Sequence, residues 1–102
     1  MEFCFTARLW LYAGKVSWVF ATLPEEVADG VRFLQAAENR QRRGFGSVPV
    51  EVQIGGTKWK TSIFPDKASG SFLLPIKMAV RRAEGLSPDM EIQLTLTPII
   101  DL

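Results

Sequence analysis

The order of predicted elements is repeated within this chain, and the repeat constrains the fold more than any other feature of the sequence. Each half reads as strand, turn, strand, Leu-Pro, helix, loop and strand, over residues of about 3–54 and 57–97. Leu23-Pro24 corresponds to Leu74-Pro75, and VEVQI at 50–54 corresponds to MEIQL at 90–94 in its order of apolar and polar positions. Similar segments in corresponding places predict two copies of one supersecondary unit.

Alternating apolar and polar residues predict strands in both halves. FCFTARLWLYA at 3–13 alternates over its full length, and a turn at Gly14 leads into a partner strand, VSWVFAT. VPVEVQI at 48–54 is followed by Gly55-Gly56, which favours a hairpin into TKWKTSIF. SFLLP and the segment from Met90 complete a set of about six strands, the last burying Met90, Ile92, Leu94 and Leu96.

Two short segments change to a helical period. Val27, Val31 and Leu34 share one helical face, and the helix is expected to begin at Pro24 because the residue before a proline avoids helical angles. The second helix is expected over residues 76–84, with Ile76, Val80 and Ala83 buried and Gly85 as its cap. Gly30 weakens the first helix.

Neither half can bury a core alone, whereas two halves related by a pseudo-twofold axis can close a small barrel. Closure also removes exposed strand edges. A length of 102 residues suits one domain, residues 1–102. The sequence therefore predicts a mainly β, closed barrel of about six strands with two short helices.

Composition removes most catalytic and metal chemistry from consideration. Histidine is absent and Cys4 is the single cysteine, so the usual general base, a disulfide and a cysteine-rich metal site are excluded, and we expect no cofactor. Lys60, Ser62 and Lys77 are the remaining nucleophile or base candidates, and no spacing supports them; we expect no enzyme. No apolar run approaches the roughly 20 residues of a membrane helix, and the first residues do not resemble a signal peptide, so the cytoplasm is expected.

A family resemblance rests on several of these segments. LPIKMAVRRAEGLSPDMEIQL is similar to the Leu-Pro, basic helix, Gly-Leu and alternating-strand signature of swapped-hairpin AbrB-type regulators and MazE-type antitoxins. The whole chain, through WVFATLPEE, VPVEVQIGG, WKTSIFP and LPIKMAVRRAEG, more closely resembles the bacterial and archaeal domain of unknown function nineteen-oh-five. That resemblance implies a double-split β-barrel formed by one chain. One departure is Pro88, which precedes Asp89 where the pattern commonly has glycine and so stiffens this turn.

Charge is unevenly distributed along the chain, although its net value is +1. Residues 40–82 contain nine basic and two acidic residues, whereas the segments on either side are acidic. A basic segment of this kind can bind a polyanion such as nucleic acid, or it can be solvated surface. The candidate polyanion-binding residues are Arg40, Arg42, Arg43, Lys58, Lys60, Lys77, Arg81 and Arg82.

Aromatic residues on the predicted strands offer a second candidate site. Trp18, Phe20, Trp59 and Ser62 are the candidate pocket residues, although Trp18 and Trp59 are more often core residues in such patterns. Trp10 differs, because it shares an outward face with Arg8 and Tyr12 and predicts a contact patch.

These features favour a non-enzymatic binding or accessory domain that contacts a protein or a small ligand. The sequence predicts no membrane partner and a monomer. The alternative is nucleic-acid binding through the basic 40–82 region, resembling AbrB-type transcription regulators. The first-half helix carries Glu25, Glu26 and Asp29, which argues against a symmetric reader of DNA.

Overall fold

Six strands and two helices occur in the predicted order. The computed structural model describes residues 1–14, 17–38 and 46–99. The elements are β1 (Phe3–Ala13), β2 (Ser17–Thr22), α1 (Glu25–Glu38), β3 (Val48–Ile54), β4 (Thr57–Asp66), β5 (Ser71–Pro75), α2 (Met78–Glu84) and β6 (Glu91–Pro98).

The strands form a closed antiparallel barrel in the order β1-β2-β5-β4-β3-β6, which confirms the predicted fold class. β1 takes part in two sheets. Its residues 3–8 pair with β6, and its residues 9–13 pair with β2. β4 does the same, because residues 57–63 pair with β3 and residues 64–66 pair with β5. The first sheet therefore contains β6 and β3, and the second contains β2 and β5.

The strand order is symmetric with respect to the two halves. Exchanging β1, β2 and β3 with β4, β5 and β6 leaves every strand beside the same neighbours. At the contact between β2 and β5, Ala21 lies opposite Leu74, and the Leu23 N–H donates to the carbonyl of Phe72. Leu23 and Leu74, which correspond in the sequence repeat, are both buried at this contact. The pairing is the one expected from a pseudo-twofold axis between β2 and β5.

Inward side chains from all six strands fill the barrel. On β3 the inward set is the predicted one, and Trp59 on β4 is also buried. On β6, Ile92, Leu94 and Leu96 are buried, but the prediction for Met90 was wrong. Met90 is exposed because it lies before the strand, where its carbonyl accepts the Leu9 N–H at 2.9 Å.

α1 lies against one end of the barrel. The Pro24 carbonyl accepts from the N–H groups of Val27 and Ala28, so Pro24 is the last residue before the helix and not its first. Val27 and Val31 are buried as predicted. Packing explains the glycine at position 30, because a Cβ there would lie 2.6 Å from Cε1 of Phe3.

α2 lies at the opposite end. The Thr57 hydroxyl contacts Oε2 of Glu84 at 2.6 Å, beside the turn that ends β3, whereas α1 is joined by Gln35 to the carbonyl of Gly46, before β3 begins. α2 is shorter than predicted: Ile76 is buried but still pairs with β2, donating its N–H to the Val19 carbonyl. Val80 is buried within the helix. Ala83, predicted to be buried, is exposed, because a seven-residue helix turns only one narrow face to the barrel.

Two turns after α2 adopt left-handed backbone angles. Gly85 caps the helix with a φ of 64°, as predicted, and Asp89 has a φ of 74°. The Asp89 N–H donates to the Leu9 carbonyl at 2.7 Å, which fixes this turn beside β1. In the described ranges, no helix combines the length and the apolar character needed to cross a bilayer.

Candidate interaction surface

The outer faces of the two sheets differ sharply in chemistry. On the first sheet, the outward side chains of β6, β3 and β4, apart from Pro49, are polar or charged and are exposed or half-buried. They are Glu51, Gln53, Lys58, Lys60, Ser62, Glu91, Gln93, Thr95 and Thr97. Opposite charges face each other across strands, since Lys60 pairs in register with Glu51 and Arg8 with Glu91. This is an ordinary hydrated surface.

The outer face of the second sheet is apolar. We call it the aromatic face and define it as Trp10, Tyr12, Trp18, Phe20, Phe64, Leu73 and Pro75. Strand register places these residues in contiguous rows across the sheet. Tyr12 lies opposite Trp18, and Trp10 lies opposite Phe20, which lies opposite Pro75. A third row runs from Thr22 through Leu73 to Phe64.

Phe20 is the centre of the aromatic face. Its ring centroid lies 5.2 Å from that of Trp10, 5.8 Å from that of Trp18 and 6.3 Å from that of Tyr12. The two indoles are tilted against Phe20 and the phenol meets it edge-on. Separations and angles of this kind are favourable for aromatic pairs. The four rings therefore form one preorganised cluster and not four independent exposed side chains.

One hydrogen bond fixes the orientation of Trp10 within this cluster. Its indole Nε1–H donates to Oγ1 of Thr22 at 2.9 Å, across the β1–β2 ladder. Because a half-buried indole N–H requires an acceptor, this bond selects one orientation of the ring. The outward patch predicted around Trp10 is present.

The cluster remains largely accessible to solvent. Trp18 is 48% exposed and Tyr12 is 53% exposed. The interpretation of Trp18 as a core residue was wrong, because the strand register pairs it with Tyr12 on the outer side of the hairpin. Phe64 adds a further exposed ring at the far end of the face.

The four candidate pocket residues do not come together. Trp18 and Phe20 lie on the aromatic face, whereas Trp59 points into the barrel from β4 and is 9% exposed. Ser62 is half-buried on the same strand and alternates with inward Ile63, so it faces outward. The barrel wall thus separates Trp18 from Trp59. Adjacent strands, and not a cavity, bring the aromatic residues together.

Comparison with models of protein families assigns the chain to one family. The model of the family described as a domain of unknown function, DUF1905, matches residues 5–96, which span both half-repeats. The chain belongs to the DUF1905 family. This confirms the resemblance of the whole chain to the domain of unknown function nineteen-oh-five. A search of curated proteins gives no match.

The basic candidates of this DUF1905 chain fall into two groups. Lys58 and Lys60 are exposed on β4, and Lys77, Arg81 and Arg82 belong to α2 or its first turn. Both groups lie toward the α2 end of the barrel, where Thr57 contacts Glu84. In the described part of the chain, none of the five forms an ion pair within 4 Å, and the one such pair joins Arg32 to Asp29. Arg40, Arg42 and Arg43 lie outside the described residues.

Arg81 differs from its neighbours in having a structural contact. Its Nε–H donates to the Ile76 carbonyl at 3.1 Å, and the side chain is half-buried. Lys77 is exposed and precedes α2 in an extended conformation. It follows Pro75 in the outward alternation of β5, so it lies at the border of the aromatic face beside Trp18 in register. Arg8 borders the same face on β1, where it lies opposite Glu91 in register.

The candidate catalytic residues of the DUF1905 chain lie in two places, and Glu51 is opposite Lys60 in register. Lys60 and Ser62 are neighbours on the outward side of β4, and Lys77 lies at the start of α2. Across the described residues, no group of three acidic, cysteine or histidine side chains could hold a metal ion. The aromatic face is the most distinctive surface feature of this chain.

Proposed function

We propose that this DUF1905 domain is a monomeric, non-enzymatic interaction module of the cytoplasm, and that its aromatic face is the docking surface for a partner protein. A single observation carries the proposal: one outer sheet face is a contiguous aromatic cluster, whereas the other outer face of the same barrel is polar.

Apolar surface that is exposed to water is unfavourable. Contiguous apolar patches rimmed by polar residues mark interaction sites, whereas isolated exposed apolar residues are normal. Tryptophan, tyrosine and phenylalanine are the residue types enriched at interface cores, where two indoles and a phenol can bury large areas at little entropic cost. Trp10 and Phe20 are already held by their neighbours, so a partner does not have to order them.

Basic residues beside the aromatic face indicate which charge a partner segment should carry. Arg8 and Lys77 flank the aromatic face; Arg8 lies opposite Glu91 in register, whereas Lys77 forms no ion pair with another described residue. A partner segment that combines apolar side chains with a flanking acidic residue would match both features, because border charges improve association rate and specificity.

The proposal can be tested by selecting peptides against the folded domain. A phage library of random peptides is panned on the immobilised wild-type domain and depleted on the variant Tyr12→Ser/Trp18→Ser. The enriched peptides are then synthesised, and their affinities are measured in solution by fluorescence anisotropy. We expect peptides that lose about tenfold or more in affinity for the double variant, as hot-spot residues do.

Phe33 provides a matched control. It is 69% exposed on α1, outside the aromatic face, so Phe33→Ser removes an exposed ring without altering the proposed site. Circular dichroism on thermal unfolding establishes that each variant is folded. Peptides that bind the double variant as tightly as wild type, or a selection that enriches none, would refute the proposed docking surface.

Nucleic-acid binding is the second candidate, favoured by the five described cations near α2 that lack ion-pair partners within the described ranges. Anisotropy with labelled single-stranded and duplex DNA and RNA at two salt concentrations tests it. Lys77→Glu/Arg82→Glu is the informative variant, because both side chains are exposed, whereas Arg81 supports the backbone. Salt-sensitive binding that this variant loses supports nucleic acid, and no binding at low salt removes it.

A further inference from the structure

Among residues 1–14, 17–38 and 46–99, no strand covers one edge of β1 near its C-terminal end. β6 pairs with β1 as far as Arg8, and the carbonyl of Met90 and the N–H of Asp89 then bond to Leu9. β2 pairs with residues 9–13 on the other side. Within the described residues, no strand or turn forms backbone hydrogen bonds to this second edge of β1 beyond Leu9.

The direction of the backbone groups follows from two independent bonds. The N–H and C=O of Leu9 face β6, and alternate residues of a strand face the same way, so those of Leu11 and Ala13 also face away from β2. On β2, the Val19 carbonyl accepts from the Ile76 N–H and so points toward β5. The backbone N–H and C=O of the preceding residue, Trp18, therefore point toward β1, where they pair with Tyr12. Both observations leave Leu11 and Ala13 with outward donors and acceptors.

This edge is not protected in the usual ways. Natural sheets shield free edges with charged residues, prolines, bulges or covering elements. Residues 10–13 of β1 contain no charge and no proline, and their pairing with β2 has no bulge. Side chains on both sides of the strand are apolar: Leu11, 50% exposed, lies on one side, and Trp10 and Tyr12 of the aromatic face lie on the other.

We infer that the partner binds this DUF1905 domain by β-strand addition, placing an extended segment along the β1 edge at Leu11 and Ala13. The inference rests on the proposed function and specifies its geometry. Only an extended backbone can satisfy donors and acceptors spaced along a strand edge. Alternate side chains of the added strand would then lie beside Trp10 and Tyr12, so one segment engages the edge and the aromatic face together.

Geometry favours a segment of another protein over a second copy of this chain. Pairing of two copies through this edge would be isologous and would place the two aromatic faces side by side on one continuous sheet, where both would stay exposed. A segment of another protein can follow the edge and also cover the aromatic face.

The probes are the peptides enriched in the selection above, synthesised with one backbone N-methyl group at each position in turn. An N-methyl group removes one donor and adds bulk without changing the side chain. In strand addition, alternate N–H groups point toward β1 and the others point to solvent. We therefore expect about tenfold weaker binding at alternate positions and little change between them.

Two substitutions of Leu11 test whether the domain's own backbone N–H takes part in peptide binding. Leu11→Pro removes the outward N–H, which takes no part in the ladder with β2, so the barrel is expected to fold. Leu11→Thr keeps the N–H and removes most of the apolar side chain. We expect the proline variant to lose about tenfold or more in peptide affinity and the threonine variant less than about threefold.

The outcomes separate the two proposals. Peptides that depend on Trp18 but tolerate N-methylation without a two-residue period would overturn strand addition and leave the aromatic face as a docking surface. This readout does not depend on whether Leu11→Pro folds. A selection that yields no peptide overturns both proposals. Concentration-dependent dimerisation in sedimentation equilibrium that Leu11→Pro abolishes would assign the edge to a second copy and overturn the choice of partner.

Discussion

The hydrogen bond between Trp10 and Thr22, which orients one ring of the aromatic face, should contribute measurably to the free energy of unfolding, because it satisfies a half-buried indole N–H. Thr22→Val removes the acceptor and retains the size and β-branching of the side chain. An indole N–H that loses its partner costs about 1–3 kcal/mol when it is fully buried. Trp10 is half-buried, so water can partly replace the bond, and we expect about 1 kcal/mol. For a domain near this length, that corresponds to a decrease in Tm of roughly 5 °C.

A double-mutant cycle with Trp10→Phe isolates this bond from other effects of the substitutions. Phenylalanine cannot donate, so Thr22→Val should cost almost nothing in the Trp10→Phe background. The assay is urea unfolding followed by far-ultraviolet circular dichroism, which does not depend on the indole that is removed. A coupling free energy below about 0.3 kcal/mol, within the error of additivity, would refute the assignment of this bond as the anchor of Trp10.

Two further stability measurements test the turn geometry and the pseudo-twofold relation. Gly55→Ala should cost about 0.5–1.5 kcal/mol beyond Gly70→Ala, because both glycines have positive φ but only a Cβ at residue 55 would displace the Glu84 carboxylate from its hydrogen bond with Thr57. Equal costs in chemical denaturation would contradict the role of that contact. Leu23→Ala and Leu74→Ala should each cost about 2–5 kcal/mol, since both side chains are buried at the contact between β2 and β5. A cost below about 1 kcal/mol for either one in the same assay would show that the two sites do not contribute equivalently.

Much of the fold could be predicted because strand alternation is local. The inward set of β3 follows from its sequence alone, since a period of two fixes which side chains share a face. Errors occurred where elements end. Ile76 and Ala83 were assigned to a helical face by their spacing, but pairing of Ile76 with β2 delays the helix to Met78. Competition between a strand ladder and a helix is decided by distant residues, which a local pattern does not contain.

The candidate site could be predicted only in part. The outward face of Trp10 and Tyr12 follows from alternation, but Trp18 was predicted as a pocket residue or a core residue, because its inward or outward direction depends on its register with β1. Phe64 and Leu73 were not among the four predicted pocket residues. The alternation of residues along β4 indicates that Phe64 faces outward. Nothing in the sequence indicates, however, that β5 lies between β2 and β4 and so brings Phe64 to the same face as Phe20.

The sequence by itself determined the repeated order of elements, the strand faces and the Leu-Pro and glycine positions that end or turn them, because each depends on residues close together in the chain. Only the tertiary structure decided that β1 changes sheets after Arg8, that no described element covers the edge of its second half, and that rings from β1 and β2 meet around Phe20. These features depend on register between segments distant in sequence. Register is set by the way in which the two halves close one shared core.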